Sequence, residues 1–252
     1  MKYVTTILFF FILLGEPSQQ QKYSFRKYNH VKQFYKGISK KATEVCLENN
    51  IPPASLLAIA GLESGWDSGY IGQISGNILS LGPRKGDIQL PALRLPAKNN
   101  KIVYDSLDII KYDAKNLQWQ DRPKSLKKDY RPKPWAGTPY NLAYFKYHPK
   151  EKHAAQIANI KDFATVFIGR KSRIKAYRET RRKMDSLVAK HGKKVLLEEK
   201  TAVDFINGIG GKPNSYNYRE TWPKKVILII KKVGLVQLTT DLSNGESFND
   251  SW

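Results

Sequence analysis

Apolar positions in residues 31–66 follow two different patterns. In residues 31–48 they recur at helical spacing along one side, which predicts an amphipathic helix. Residues 53–62 are apolar on nearly every side, which predicts a short helix buried all round. Pro52 and Pro53 suit its first turn, where a missing N–H costs little. This second helix ends at Glu63, so the sequence places a carboxylate at the end of a buried helix.

The remaining chain divides into a helical part and an irregular part. Residues 83–150 have loop-like order with one candidate strand at 101–104, and no repeats occur. Helical periodicity returns at residue 161 and predicts helices at 162–168, 173–190, 200–206 and 222–233. Together these patterns predict an α+β, mostly α, domain over residues 31–238, with 83–150 as a variable lobe. Residues 16–30 are expected to be a linker and 239–252 a frayed, flexible tail.

The first fifteen residues have the pattern of an export signal. A short basic start precedes an apolar run, and polar residues follow Gly15. The run is short for a membrane span, so cleavage after Gly15 is expected and an uncleaved anchor is the alternative. After processing no stable membrane span is predicted. With Cys46 alone no intramolecular disulfide forms, which fits a periplasmic or envelope-associated bacterial protein.

The charge of the chain favours a polyanionic partner. Its 43 basic and 22 acidic residues give a net charge of +21. No nucleic-acid-binding motif accompanies that charge, so anionic envelope polymers are the expected partners rather than nucleic acid. The sequence contains no metal or nucleotide motif, and no cofactor is predicted. The scattered histidines (His30, His148, His153 and His191) are expected to be solvated.

Glu63 is the leading candidate for catalysis. Burial disfavours a charged carboxylate and raises its pKa. A carboxyl group that stays protonated near neutral pH beside an aromatic residue suits proton donation to a glycosidic oxygen.

Ile51-Pro-Pro-Ala-Ser and Leu62-Glu-Ser-Gly-Trp66 together resemble the core motif of bacterial peptidoglycan endo-β-N-acetylglucosaminidases, the glycoside hydrolase family 73 type. Residues 163–182 resemble its Bax-type branch. The resemblance implies a lysozyme-like helical domain with a small β-hairpin lobe. It also implies that Glu63 is the catalytic acid. Asp67 stands where the family has glycine.

Two further segments resemble parts of the same family. Residues 77–82 are similar to its groove-lining loop, with Gly76 and Ser80 as departures. Residues 214–232 are similar to its closing motif, which aligns Tyr216 with the active-site tyrosine. The resemblance implies these substrate-binding residues: Ser64, Trp66, Asn77, Leu79, Tyr218 and Trp222.

The second catalytic group is left open by the sequence. A two-carboxylate hydrolase needs its carboxyl groups about 5–9 Å apart. The candidates are Asp87, Asp105, Asp108 and Asp113, of which Asp105 is favoured because it follows the candidate strand. Alternatively, the substrate's acetamido oxygen is the nucleophile and Glu63 suffices.

Three functions remain in competition. The first is an exported hydrolase that cleaves N-acetylglucosaminyl bonds in peptidoglycan glycan strands. The second is a lytic transglycosylase of the same fold, and the third is a non-catalytic cationic cell-wall-binding protein. The nature of the released sugar ends separates the first two, and an absence of release indicates the third.

Overall fold

The computed structural model describes residues 23–121 and 126–252. Helices dominate it and one small antiparallel sheet accompanies them, which confirms the predicted α+β, mostly α, class. The predicted signal peptide lies outside the described residues. No helix in the described ranges is long and apolar enough to cross a membrane.

The elements of the described ranges follow one another in this order. The helices are α1 (Asn29–Glu48), α2 (Pro53–Ser64), α3 (Tyr70–Ser75), α4 (Ser106–Ile109), α5 (Tyr144–Tyr147), α6 (Pro149–Asp162), α7 (Lys175–His191), α8 (Glu199–Ile209), α9 (Thr221–Val233), α10 (Leu235–Ser243) and α11 (Phe248–Ser251). The strands are β1 (Arg94–Lys98), β2 (Lys101–Ile102) and β3 (Gln118–Asp121). Short 3-10 turns cover Ala114–Asn116 and Lys193–Leu197, and a π-helical turn covers Phe163–Phe167.

Helix α2 is the centre of the fold. Its side chains from Pro53 to Gly61 are buried on every side, as the apolar pattern predicts. Helices α1, α8, α9 and α10 pack around it. Ser55, a polar residue inside this helix, is satisfied because its hydroxyl donates to the Ala202 carbonyl at 2.9 Å. The helix ends at Gly65, whose φ of 58° is left-handed.

The three strands form a small lobe beside the helices. Strand β1 is central, with β2 and β3 antiparallel on either side. The lobe has its own apolar cluster, which contains Ile74, Leu90, Leu93, Leu95 and Leu142. The sheet lies within residues 83–150, and β2 covers only the first half of the candidate strand at 101–104.

The sequence pattern missed helix α6. Helical periodicity is visible only from residue 161, whereas the helix begins at Pro149. Its first turn and a half is charged and exposed, so the apolar period appears only from Ala155 onward. Moreover, the predicted helix at 162–168 is a π-helical turn that continues α6.

The predictions of a linker at 16–30 and a frayed tail from 239 are wrong for the described residues. Arg26 is 3% exposed and donates to the carbonyl oxygens of Val233 and Ser251, both at 2.8 Å. The Arg26 guanidinium lies 4.9 Å from the Trp252 ring centroid. Thr239 is fully buried in α10. Buried backbone carbonyls that need donors therefore hold both segments on the core.

Replacing Arg26 with Ala should destabilise the fold although every apolar side chain of the core is kept. The buried carbonyls of Val233 and Ser251 would lose charged donors, at a cost of about 2–4 kcal/mol. Urea denaturation measures the free energy of unfolding. Lys36→Ala, on the exposed side of α1, is the control and should change it by less than about 0.5 kcal/mol. Equal stability of the two variants would contradict the role of Arg26.

Candidate active site

Glu63 lies near the end of α2 and faces the first turn of α9. Trp222, in that turn, donates its indole Nε1–H to Glu63 Oε1 at 2.9 Å. The indole is 3% exposed, so the hydrogen bond fixes one carboxylate oxygen from a rigid, buried donor. The glutamate itself is only partly buried. The arrangement therefore orients a carboxyl group that solvent still reaches.

The surroundings of Glu63 favour its protonated form. Burial raises the pKa of the Glu63 carboxyl, and the Trp222 hydrogen bond and the positive charge of Lys127 oppose the shift without cancelling it. Burial in turn lowers the pKa of Lys127, which the Glu63 charge counteracts. Lys127 Nζ donates to the Ser80 carbonyl oxygen at 2.8 Å. A carboxyl pKa that stays raised despite these two opposing effects is the electrostatic character expected of a general acid.

Tyr216 lies on the same side of the molecule as Glu63. Its ring centroid is 5.2 Å from that of Trp222, and its hydroxyl donates to the Leu79 carbonyl oxygen. Burial raises the pKa of Tyr216 well above its usual range, and the charge of Glu63 adds to the shift. The phenol is therefore a protonated donor that ties the 77–81 loop to the segment before α9.

The side-chain amide of Asn77 forms hydrogen bonds within the protein. Its Nδ2 donates to the carbonyls of Leu81 at 2.8 Å and Lys128 at 2.9 Å, while Oδ1 accepts from Leu81 N at 2.8 Å. Asn159 Nδ2 donates to the same oxygen at 3.1 Å. Asn159 Oδ1 also accepts from Leu79 N at 2.9 Å. Because Asn77 and the Leu79 side chain are both buried, they shape the loop rather than offering groups to a ligand.

The other predicted substrate-binding residues Ser64, Trp66 and Tyr218 have three different surroundings. The Ser64 hydroxyl bonds the Ala60 carbonyl at 2.7 Å and accepts from Asp67 N at 2.9 Å, so it closes the end of α2. Trp66 packs edge-on against Phe25 and its Nε1 donates to the Tyr35 hydroxyl at 3.3 Å. Tyr218 alone is open, with 69% of its surface exposed.

Asp105 is committed to the lobe. It caps α4 through Leu107 N at 3.0 Å and accepts from Lys146 Nζ at 2.6 Å and the Tyr147 hydroxyl at 2.8 Å. Burial raises the pKa of Asp105, but the donors Lys146 and Tyr147 outweigh it and hold that pKa below its ordinary value. Ionisation by itself suits a nucleophile, but these three contacts occupy the Asp105 carboxylate within the lobe.

The other three carboxylate candidates are engaged elsewhere too. Asp87 pairs with Lys128 at 2.9 Å, and Asp108 pairs with Lys146 at 2.8 Å. Asp113 Oδ1 accepts from Lys115 N at 3.0 Å. None of these contacts, as far as the described residues go, brings an aspartate to Glu63.

The departures from the family motif coincide with left-handed backbone. Asp67 has a φ of 63°, where the family has glycine, and Ser80 has a φ of 56° at another family glycine. Aspartate is among the residues that tolerate this conformation. Asp67 Oδ2 also pairs with Lys152 at 2.5 Å. At Gly76, with a φ of 71°, an added Cβ would lie 2.7 Å from the Ala155 Cβ.

Sequence reasoning missed Lys127 and Asn159. Lys127 follows a segment without periodicity, so the sequence gives no sign of its position. It comes close to Glu63 because residues 126–131 run beside the 77–81 loop. There Lys128 N donates to the Leu81 carbonyl at 2.9 Å. Asn159 is a wholly buried asparagine of α6. A buried amide in the middle of a helix is a detectable signal, but the helix itself had to be recognised first.

Comparison with protein-family models, curated proteins and solved structures finds no match to this chain. The family resemblance therefore stays a prediction. Among residues 23–121 and 126–252, no group of three or more His, Cys, Asp or Glu side chains is placed to hold a metal ion.

Asn77→Asp should test the architectural role of this amide. The substitution keeps the shape but points carboxylate oxygens at two carbonyl oxygens, which should cost about 3 kcal/mol or more at neutral pH. The introduced carboxyl should have a raised folded-state pKa, so the loss of stability should grow as pH rises. Denaturant unfolding at pH 4 and pH 7 measures this.

The matched control is Asn116→Asp on the exposed surface of the lobe, with an expected change below about 0.5 kcal/mol. If Asn77→Asp were as stable as this control, the amide would be free to serve a ligand.

Proposed function

We propose that this chain is a glycoside hydrolase that cleaves N-acetylglucosaminyl bonds in bacterial peptidoglycan, with Glu63 as the general acid. One observation carries the proposal: a partly exposed carboxyl whose pKa is raised by burial is oriented by a buried indole donor. The motif around residues 51–66 supplies the substrate class. The net charge of +21 suits an anionic envelope.

In this reaction Glu63 donates its proton to the glycosidic oxygen as the C1–O bond breaks. The departing sugar leaves as an alcohol, and the remaining sugar develops oxocarbenium-ion character. A water molecule then adds its oxygen to C1 and returns a proton to the Glu63 carboxylate. The acid is thus regenerated, and one water is consumed for each bond cleaved.

Lys127 and Trp222 act on the carboxylate that forms after proton donation. The indole N–H and the ammonium charge both stabilise negative charge on Glu63. Their positions are set before the reaction, because Trp222 is buried and Lys127 is anchored on the Ser80 carbonyl. Preorganised donors of this kind lower the barrier without reorganising at the moment of transfer.

The commitment of the four aspartates elsewhere favours a mechanism with a single carboxylate. In such a mechanism the substrate's own acetamido oxygen bonds to C1 as the leaving oxygen departs, and the water described above then displaces that oxygen from C1 while Glu63 takes up its proton. The same observation keeps a lytic transglycosylase as the second candidate, in which a hydroxyl of the cleaved sugar attacks C1 instead of water. The two differ in their products, because only hydrolysis leaves reducing ends.

Glu63→Gln should abolish cleavage and leave the fold intact. The amide has no acidic proton to donate, so the rate should fall about 100- to 10,000-fold. Mass spectrometry of fragments from purified peptidoglycan measures the release, and reducing N-acetylglucosamine ends are expected from the wild type. Glu48→Gln, on the exposed end of α1, is the matched control. Anhydro ends would select the transglycosylase, and full activity of Glu63→Gln would refute the assignment.

Lys127→Met should move the alkaline limb of the pH–rate profile to higher pH. The acid works while Glu63 is protonated, so the rate falls as pH rises through the pKa of Glu63. Removing the lysine charge raises that pKa further, and the limb should shift up by about 0.5–1 pH unit. Lys224→Met, an exposed position on α9, should not shift it. A shift to lower pH would contradict this arrangement.

A further inference from the structure

A strongly basic cleft is lined by residues other than Glu63. It has a volume of about 920 Å³ and lies between the π-helical turn, the loop that follows it and the start of α7. Six cationic residues line it, and none of the described residues lining it is acidic. The six are Arg84, Lys85, Arg170, Lys171, Arg173 and Arg181. Glu63 is not among the lining residues, so this cleft is not the candidate active site.

Arg181 is an incompletely satisfied cation at this cleft. The residue is 2% exposed, yet within residues 23–121 and 126–252 its guanidinium makes one hydrogen bond, from Nη1 to the Ala164 carbonyl at 3.3 Å. Its Nε has no hydrogen-bond partner among the described residues. A buried guanidinium left in this state is costly, and a bound ion or water is one of the groups that complete such a side chain in native structures.

The carboxylate whose charge acts on Arg181, that of Asp185, makes its hydrogen bonds to other residues. Asp185 accepts from Arg170 Nε at 2.6 Å and from Arg170 Nη2 at 2.7 Å. Asn50 Nδ2 also donates to Asp185 at 2.8 Å. The positive charge of Arg170 acts on Arg181 as well, since the pKa of Arg181 is lowered by burial and by this neighbour. The protein therefore leaves an excess of positive charge at the base of the cleft.

The rest of the cleft adds positive potential and apolar surface. Helix α7 begins beside it without a side-chain cap and without an acidic residue in its first turn, so the positive end of a 17-residue helix is left open. Val166, Phe167 and Ile174 supply an apolar wall. The Arg84 guanidinium lies 5.6 Å from the Phe167 ring centroid, which fixes a cation above this wall.

We propose that this cleft binds a phosphate ester, with the phosphate on Arg181 and the organic part on the wall around Phe167. Phosphate offers several acceptor oxygens to guanidinium forks, and it brings the negative charge that the protein does not supply. A sugar phosphate and a lipid phosphate share this chemistry. The cleft shares no lining residue with the group Glu63, Trp222 and Lys127, and its wall residue Phe167 lies with its ring centroid 6.1 Å from that of Tyr216.

Calorimetric titration of the full 252-residue chain tests the proposal. The probes are inorganic phosphate, N-acetylglucosamine 1-phosphate, dihexanoyl phosphatidate and uncharged N-acetylglucosamine. At least one ester should bind more tightly than inorganic phosphate, because the apolar wall adds contact area, and the uncharged sugar should not bind this cleft. The tighter of the two esters identifies the source, a glycan or a lipid.

Arg181→Gln should weaken binding of the preferred ester by about tenfold or more, whereas Arg182→Gln should weaken it less than about twofold. Arg182 is the matched control because it is the next residue of α7, carries the same charge and is exposed. Without ligand, Arg181→Gln should be as stable as the wild type or more so, because a buried unpaired charge is removed.

Two results would overturn the proposal. Equal losses of affinity in the two variants would mean that general positive charge attracts the ester. Reduced unliganded stability of Arg181→Gln with unchanged affinity would mean that Arg181 serves only the packing of α7.

Discussion

A helix without a polar face constrains everything around it. Helix α2 cannot lie on a surface, so α1, α8, α9 and α10 must surround it. The helix is incompletely covered only at its last turn, where Leu62 and Glu63 are partly buried. The carboxyl group therefore emerges where an apolar helix meets solvent, and the fold fixes its place as firmly as the core fixes the helix.

The elements that could be predicted are those whose apolar period is complete within one segment. Helices α1, α2 and α9 each bury a continuous stripe or every face, and the predicted bounds lie within two residues of the observed ones. Helix α6 escaped because its first turns are charged and exposed. Helix α10 escaped because Thr239 and Asp241, although polar, are buried there. Polarity signals exposure only when no partner satisfies the polar group.

The candidate site shows the same division. The local pattern identified Glu63, and the motif resemblance proposed Trp222 and Tyr216. In the structure Trp222 donates a hydrogen bond to Glu63, and the rings of Tyr216 and Trp222 pack together. The role of Asn77 was not accessible from sequence, because its four hydrogen bonds involve residues up to 82 positions away. Lys127 reaches Glu63 through a chain reversal that no local period encodes. Contacts between residues that are far apart in the sequence depend on the tertiary structure, and a local pattern does not reveal them.

The clamp formed by Arg26 has a kinetic meaning as well. It joins a segment near residue 26 to the carbonyl of Ser251, 225 positions later along the chain. Contacts of such long range form late, because a large loop must close before they bring any stabilisation. The junction between the segment around Arg26 and helix α11 thus stays open until residue 251 has been synthesised. The contact between Arg26 and Ser251 therefore belongs to the last steps of folding rather than to its nucleus.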